Sequence, residues 1–319
     1  MDSTELLKYA GSVVLIPAFV ACCAAAPALV GPFRTRRSIV EMSAGFALAL
    51  AFLVSFVRET SYETISRQFP WSAVESAAPI ERWHRLALIA VALAILAPVL
   101  STLRVMSSRG VDRLLSVGFV VSAAFVIGSF VEFPESSFTR QLSLGLLCGA
   151  SAYAFTLAGG AALWSAAVVF ATLAVLAMLS GCASFAVLCT ATAVAAAGMA
   201  ATTAIAGWKS STEGQPVAGG AFALVAGVLA ASVAMAGRAY DTMGIPPWSW
   251  FVVACLPVGA LLFGGLARRS PNRGAATFWK MLGVLLLAIA AFLAVASLHP
   301  LDDSDASDSA DPMDGIYGG

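Results

Sequence analysis

Charge is what this sequence has least of. Only 11% of its 319 residues are Asp, Glu, Lys or Arg, against about 25% in a typical water-soluble domain. A soluble chain so poor in charge would leave large apolar patches in water. Histidine is scarcer still, with His84 and His299 the two copies. The six cysteines (Cys22, Cys23, Cys148, Cys182, Cys189 and Cys255) contain no Cys-x-x-Cys pair, so neither a thiol redox motif nor zinc-site spacing is present. Five of them fall in apolar runs, where a thiol behaves as a small hydrophobe. Eighteen basic residues balance eighteen acidic ones, which gives no case for a nucleic-acid partner.

What is abundant is hydrocarbon. Sixty per cent of the residues are apolar and the mean hydropathy is +0.88. Runs of about 20 apolar residues, enough to cross about 30 Å of lipid as helix, recur from end to end. The expected fold is all-α: a polytopic transmembrane bundle over residues 1–298 with lipid bilayer as its solvent, followed by a tail at 299–319. Ten spans are predicted, at about 10–31, 39–58, 86–104, 114–132, 141–158, 161–180, 184–206, 217–237, 248–267 and 279–298. The nearly unbroken stretch 141–206 is divided at Gly159-Gly160 and Ser180-Gly181. Pro17, Pro98 and Pro257 predict kinks in the first, third and ninth spans.

Charge placement orients the threading, because Lys and Arg of short loops stay cytoplasmic. With ten spans and both termini outside, three clusters fall inside the cell. They are Arg34, Arg36 and Arg37; Arg104, Arg109 and Arg113; and Arg268, Arg269 and Arg273 with Lys280. Eleven of the 18 basic residues then lie inside and fifteen of the 18 acidic ones outside. Merging two middle spans would put Arg268, Arg269 and Arg273 on the wrong face. A bacterial inner membrane is the expected location. The outer loop 59–85 carries Phe69, Pro70 and Trp71 and ends in Arg82-Trp83-His84-Arg85. Trp248 and Trp250 precede the ninth span on the same face. These tryptophans are read as interfacial anchors, ring half in lipid and N–H in water.

The two ends read as bland. The tail holds Asp302, Asp303, Asp305, Asp308, Asp311 and Asp314 among Ser, Ala and Gly. That composition buries too little to fold, and it lacks the glycine and closing glutamate of a calcium loop. Residues 1–22 fit a cleaved signal poorly: Asp2 and Glu5 accompany Lys8, and the apolar run continues past Cys22.

Functional charge is also missing where it would matter. The middle of every predicted span is free of Asp, Glu, Lys, Arg and His, and such residues usually mark ion paths and proton relays. Glu41 lies one turn into the second span, in i,i+4 reach of Arg37, and Glu132 closes the fourth. A proton or sodium pump built on a buried carboxylate is therefore disfavoured, although backbone carbonyls at broken helices can also hold sodium. Two outer histidines do not make a haem or zinc site, and no buried base is placed to activate a serine or cysteine. No catalytic, cofactor or metal residue is assigned. Small residues are plentiful: Gly145-x-x-x-Gly149, and Gly219, Ala223, Gly227 and Ala231 at every fourth position, are helix-packing devices. The seventh span, Ala-rich with Thr190, Thr192, Thr202 and Thr203, is expected in the bundle interior, its threonines read as packing residues in preference to the lining of a polar path.

Three functions follow from these features. The leading one is a permease-like carrier or channel for a small neutral or amphipathic solute, with Pro17, Pro98, Tyr153, Thr192, Thr202 and Pro257 along its path. The alternative is a non-catalytic scaffold or accessory subunit with a membrane-protein partner or a second copy of the chain. The third is an outer-interface enzyme using Glu59, Glu63, Glu75 or Glu81 with Arg82 or His84.

Overall fold

Long runs of Ala, Leu and Val without charge have one way to satisfy their backbone in lipid, the helix, and helices are what these runs form. The computed structural model describes residues 11–29, 37–60, 82–102, 138–208, 220–270 and 273–298. Among them no strand occurs. A π-helical turn at Gly11–Leu15 leads into α1 (Ile16–Leu29), and α2 covers Arg37–Thr60. A 3-10 turn at Arg82–Arg85 opens α3 (Leu86–Thr102). Then come α4 (Phe138–Ala158), a 3-10 turn at Gly159–Ala161, α5 (Ala162–Leu179), α6 (Ala183–Trp208) and α7 (Gly220–Ala239). The next stretch is broken into α8 (Pro247–Ala254), a 3-10 segment (Leu256–Leu261) and α9 (Gly264–Arg269), before α10 (Arg273–Leu298).

Six helical stretches among the described residues are long and apolar enough to cross a membrane: Gly11–Leu29, Ile39–Thr60, Gln141–Leu179, Ala183–Ile205, Gly220–Ala239 and Gly274–Ser297. They fit an integral membrane protein. The predicted fourth span (114–132), most of the outer loop, the tail, Gly219, Arg34, Arg36, Arg104, Arg109 and Arg113 lie outside the described residues.

Two glycines at positive φ punctuate the apolar stretch from 141 to 206. Gly159 (φ 56) separates α4 from α5, and Gly181 (φ 80) separates α5 from α6. The second break is a Schellman cap: Cys182 N–H donates to Ala177 O (2.8 Å) and Gly181 N–H to Met178 O (3.2 Å).

The interior helix is α7. Every residue from Gly220 to Gly237 is buried, because Gly, Ala and Ser on all its faces let neighbours approach closely. It packs against α4, α2, α3, α5 and α8. The threonine-bearing seventh span, expected in the interior, is there in part: α6 packs on α5, α1 and α2 and buries Thr192, but leaves Val194 and Ile205 exposed. Trp250 is a correction. It is fully buried, whereas Trp248 is 37% exposed, so only Trp248 is placed as an interfacial anchor would be. Residues two apart on a helix point about 200° apart, which forces one of the pair inward. At the periphery, α10 turns Phe278, Leu285, Leu286, Ile289, Phe292 and Leu293 outward.

Side-chain contacts tie each end of the bundle. At one end, Ser184 Oγ donates to Glu59 Oε1 (2.9 Å), Thr242 Oγ1 to Ser180 O (2.9 Å) and Ser55 Oγ to Val13 O (2.9 Å). Phe56 meets the His84 ring edge-on at 5.9 Å. At the other end of α5, Lys280 Nζ donates to Ala158 O (3.1 Å), where the negative end of α4 favours a cation.

Candidate site at the broken span

The stretch Pro247–Arg269 has 23 residues, which as α-helix at about 1.5 Å per residue would reach about 34 Å and cross a bilayer. It does not run through as one helix, and the reason starts at Pro257. Proline has no N–H, so Val253 O loses its i+4 donor. The chain tightens to i+3 bonding on both sides: Cys255 N–H donates to Val252 O and Val258 N–H to Cys255 O, each at 3.0 Å. Val258 N–H is the donor that a continuous α-helix would offer Ala254 O. That carbonyl is caught instead from another helix, by Ser151 Oγ of α4 at 2.6 Å, with Ser151 and Ala254 both fully buried. A second irregularity follows at Leu262 and Phe263 before α9 begins, with Leu262 N–H on Gly259 O (3.0 Å) and Phe263 at φ −111°, ψ 21°.

Broken helix and α10 touch through bare backbone. A Cβ on Gly259 would stand 2.6 Å from Gly283 O, and a Cβ on Gly283 would overlap Gly259 O. Only glycine at both positions permits this crossing. Phe263 and Trp279 flank it, their ring centroids 5.9 Å apart. Toward the start of the same span, the six-membered ring of Trp250 lies where a Gly237 side chain would be. Its Nε1 is buried with no acceptor among the described residues. Replacing Ser151 with alanine strands the Ala254 carbonyl, and the expected cost is about 1–2 kcal/mol. Thermal melting of the detergent-solubilised protein checks this. Combined with Pro257→Ala, whose new backbone N–H lets the continuous ladder re-form, the same change should cost less than it does alone.

The residues expected along a solute path do not converge as a group. Pro257 sits in the break, buried. Pro17 is buried at the start of α1, and Pro98 lies within α3, its side chain outside the described set. Tyr153 is 40% exposed on the outside of the bundle. Thr192 is fully buried with its hydroxyl on Leu188 O (2.8 Å), and Thr202 donates to Gly198 O (2.7 Å). Both bond back to their own helix. Of the packing residues, Gly145 and Gly149 are buried in α4. Ala223 and Ala231 are buried in α7, and Gly227 abuts the Ala152 backbone. Arg268 and Arg269 are exposed at the end of α9, and Arg273 opens α10.

No known family model, characterised protein or solved structure matches this chain. Its reading therefore rests on its own geometry. Ser151, Gly237, Gly259 and Gly283 are not singled out by sequence, and Trp250 reads there as an interfacial anchor. Each matters through a partner on another helix, and only the two-residue spacing of Trp248 and Trp250 carried a readable signal. Among the outer acids, Glu59 is engaged by Ser184, while Glu63, Glu75 and Glu81 lie outside the described residues. No group of three or more His, Cys, Asp or Glu side chains suited to a metal ion occurs among the described residues.

Proposed function

We propose that this chain is a ten-span carrier of a bacterial inner membrane for a small neutral or amphipathic solute, with the broken ninth span as its moving part. Ten spans are reached from the six apolar stretches by four steps. Gly159 divides Gln141–Leu179 into two, Leu86–Thr102 and the broken Pro247–Arg269 each add one, and the expected span at 114–132 adds the last. The end contacts are consistent with this threading. Glu59 with Ser184, Thr242 with Ser180 and Phe56 with His84 pair positions assigned outside, while Lys280 with Ala158 pairs positions assigned inside.

The single observation that carries the carrier reading is the interruption at Cys255–Phe263. Irregular backbone at membrane depth is tolerated only where protein buries it or a cavity borders it, and discontinuous helices are where transporter sites are built. Here the interruption is buttressed by α4 and α10, and its closest approach to α10 is backbone to backbone, at Gly259 and Gly283.

The scaffold reading is favoured by a different observation. The hydroxyls of Thr172, Thr190, Thr192, Thr202 and Thr203 are all bonded to carbonyls of their own helices, a use that fits packing better than solute contact. Osmotic swelling of proteoliposomes separates the two. A carrier should admit at least one of glycerol, urea or a four- to six-carbon polyol several-fold faster than protein-free vesicles, and Pro257→Ala should slow that entry. Swelling equal to empty vesicles for every solute, with the protein running in a stable larger complex after mild extraction, would replace the carrier by the scaffold.

A further inference from the structure

Where α9 meets the start of α10, three cations gather at the membrane end assigned to the cytoplasm. Arg268 and Arg269 are exposed in the last turn of α9. Lys280 is half-buried on α10, the residue after Trp279, whose ring packs on Phe263 at the start of α9. None of the three forms an ion pair with an acid among the described residues. Lys280 donates to Ala158 O, so no carboxylate among the described residues neutralises the group. The tilted Phe263–Trp279 stack holds the two helices in this relation. A Cβ at Gly264 or Gly265 would meet nothing within 4 Å, so the backbone beside the basic corner is open.

The same two elements carry exposed apolar side chains next to that corner. Leu261, Leu262 and Leu266 on the broken span and Phe278 on α10 are 54%, 64%, 43% and 61% exposed. Cations without an acidic partner among the described residues, beside exposed aliphatic and aromatic side chains, match the two halves of an anionic lipid, and basic pockets between helices on the cytoplasmic side are where such headgroups bind. Arginine adds planar, bidentate recognition of phosphate. We infer that the corner of Arg268, Arg269 and Lys280 binds the phosphate of an anionic phospholipid whose acyl chains lie on the exposed apolar surface of the broken span and α10. This assignment stands whether the protein is a carrier or a scaffold.

The test titrates the full-length protein in neutral detergent with dansyl-labelled phosphatidylglycerol or phosphatidylcholine, reading energy transfer from tryptophan. The wild type should prefer phosphatidylglycerol. R268Q/R269Q should weaken that lipid roughly 25-fold, at about fivefold per charge removed, and leave phosphatidylcholine binding as it was. Arg238→Gln, at the opposite end of the bundle, should change neither. Should the glutamine pair fail to fold, R268K/R269K in the same titration keeps the charge, and its phosphatidylglycerol preference should survive at low salt and fade at high salt. Equal binding of the two lipids by wild type, a preference that persists in R268Q/R269Q or is indifferent to salt in R268K/R269K, or displacement of the lipid by millimolar inorganic phosphate would each overturn the assignment, the last by making it a soluble-anion site.

Discussion

Gly227→Leu is expected to abolish recovery of folded protein. At this point α7 presses on α4 with no side chain between them: a Cβ on Gly227 would fall on the backbone N and Cα of Ala152. A side-chain obstacle can rotate away, but a helix backbone in a packed bundle cannot move without taking its neighbours along. Overpacking in a well-filled core commonly costs about 1–3 kcal/mol and more where nothing can yield, against a total stability of about 5–15 kcal/mol for a typical protein. Since α7 is buried on every face, a shift that relieves α4 would collide with α2, α3 or α5. Size-exclusion profiles and melting curves in detergent should show loss of the monodisperse peak. Gly265→Leu supplies the contrast, because a Cβ there meets nothing within 4 Å, and it should melt within about 0.5 kcal/mol of wild type. A Gly227→Leu protein with wild-type melting would show that α4 and α7 do not touch here.

The pair of glycine substitutions also shows why sequence reading reached the elements and stopped short of the site. Helix extents follow from local composition: charge-free runs bounded by Arg, Pro or Gly become helices because lipid leaves the backbone no other partner. The breaks at Gly159 and Gly181 are local too, since only glycine takes a positive φ without strain. Pro257 announced an interruption for the same kind of reason, although a kink was the expectation and a two-step break with 3-10 geometry is the outcome. By contrast, Gly265 and Gly283 are indistinguishable along the chain, and the four-spaced stripe marks Gly227 for packing without naming its partner. What separates them is whether another helix lies where the missing side chain would be, and that is a fact about pairing. Ser151 is the polar counterpart. Nothing near it in sequence marks it as the donor for a carbonyl that the proline break sets free 103 residues later. The threonines of α6 read by sequence as packing residues before a polar path, and their hydroxyls do return to their own helix; composition alone cannot tell such a hydroxyl from one facing solute, which is why Thr192 and Thr202 also stand on the expected path.

Trp250 gives the second large expected effect, and its two substitutions should diverge. Trp250→Ala removes the largest fully buried side chain among the described residues and leaves a void against Gly237, which has no side chain to fill it. Truncations of this size in packed cores cost about 3–5 kcal/mol, enough to lower melting sharply or prevent folding. Trp250→Phe keeps a ring in the slot beside Gly237 and deletes the indole N–H. That N–H is buried and meets no acceptor among the described residues, so the folded state holds it at a desolvation cost of about 1–3 kcal/mol. Its removal offsets much of what the smaller ring loses in contact, and Trp250→Phe should melt within about 1 kcal/mol of wild type. The comparison reads out what the N–H does. If phenylalanine proves nearly as damaging as alanine, the N–H is bonded in the working protein to a group that only the membrane-embedded state supplies. If proteoliposomes carrying Trp250→Phe melt normally yet swell more slowly in a permeant polyol, that group is the solute, and the head of the broken span is where it is held.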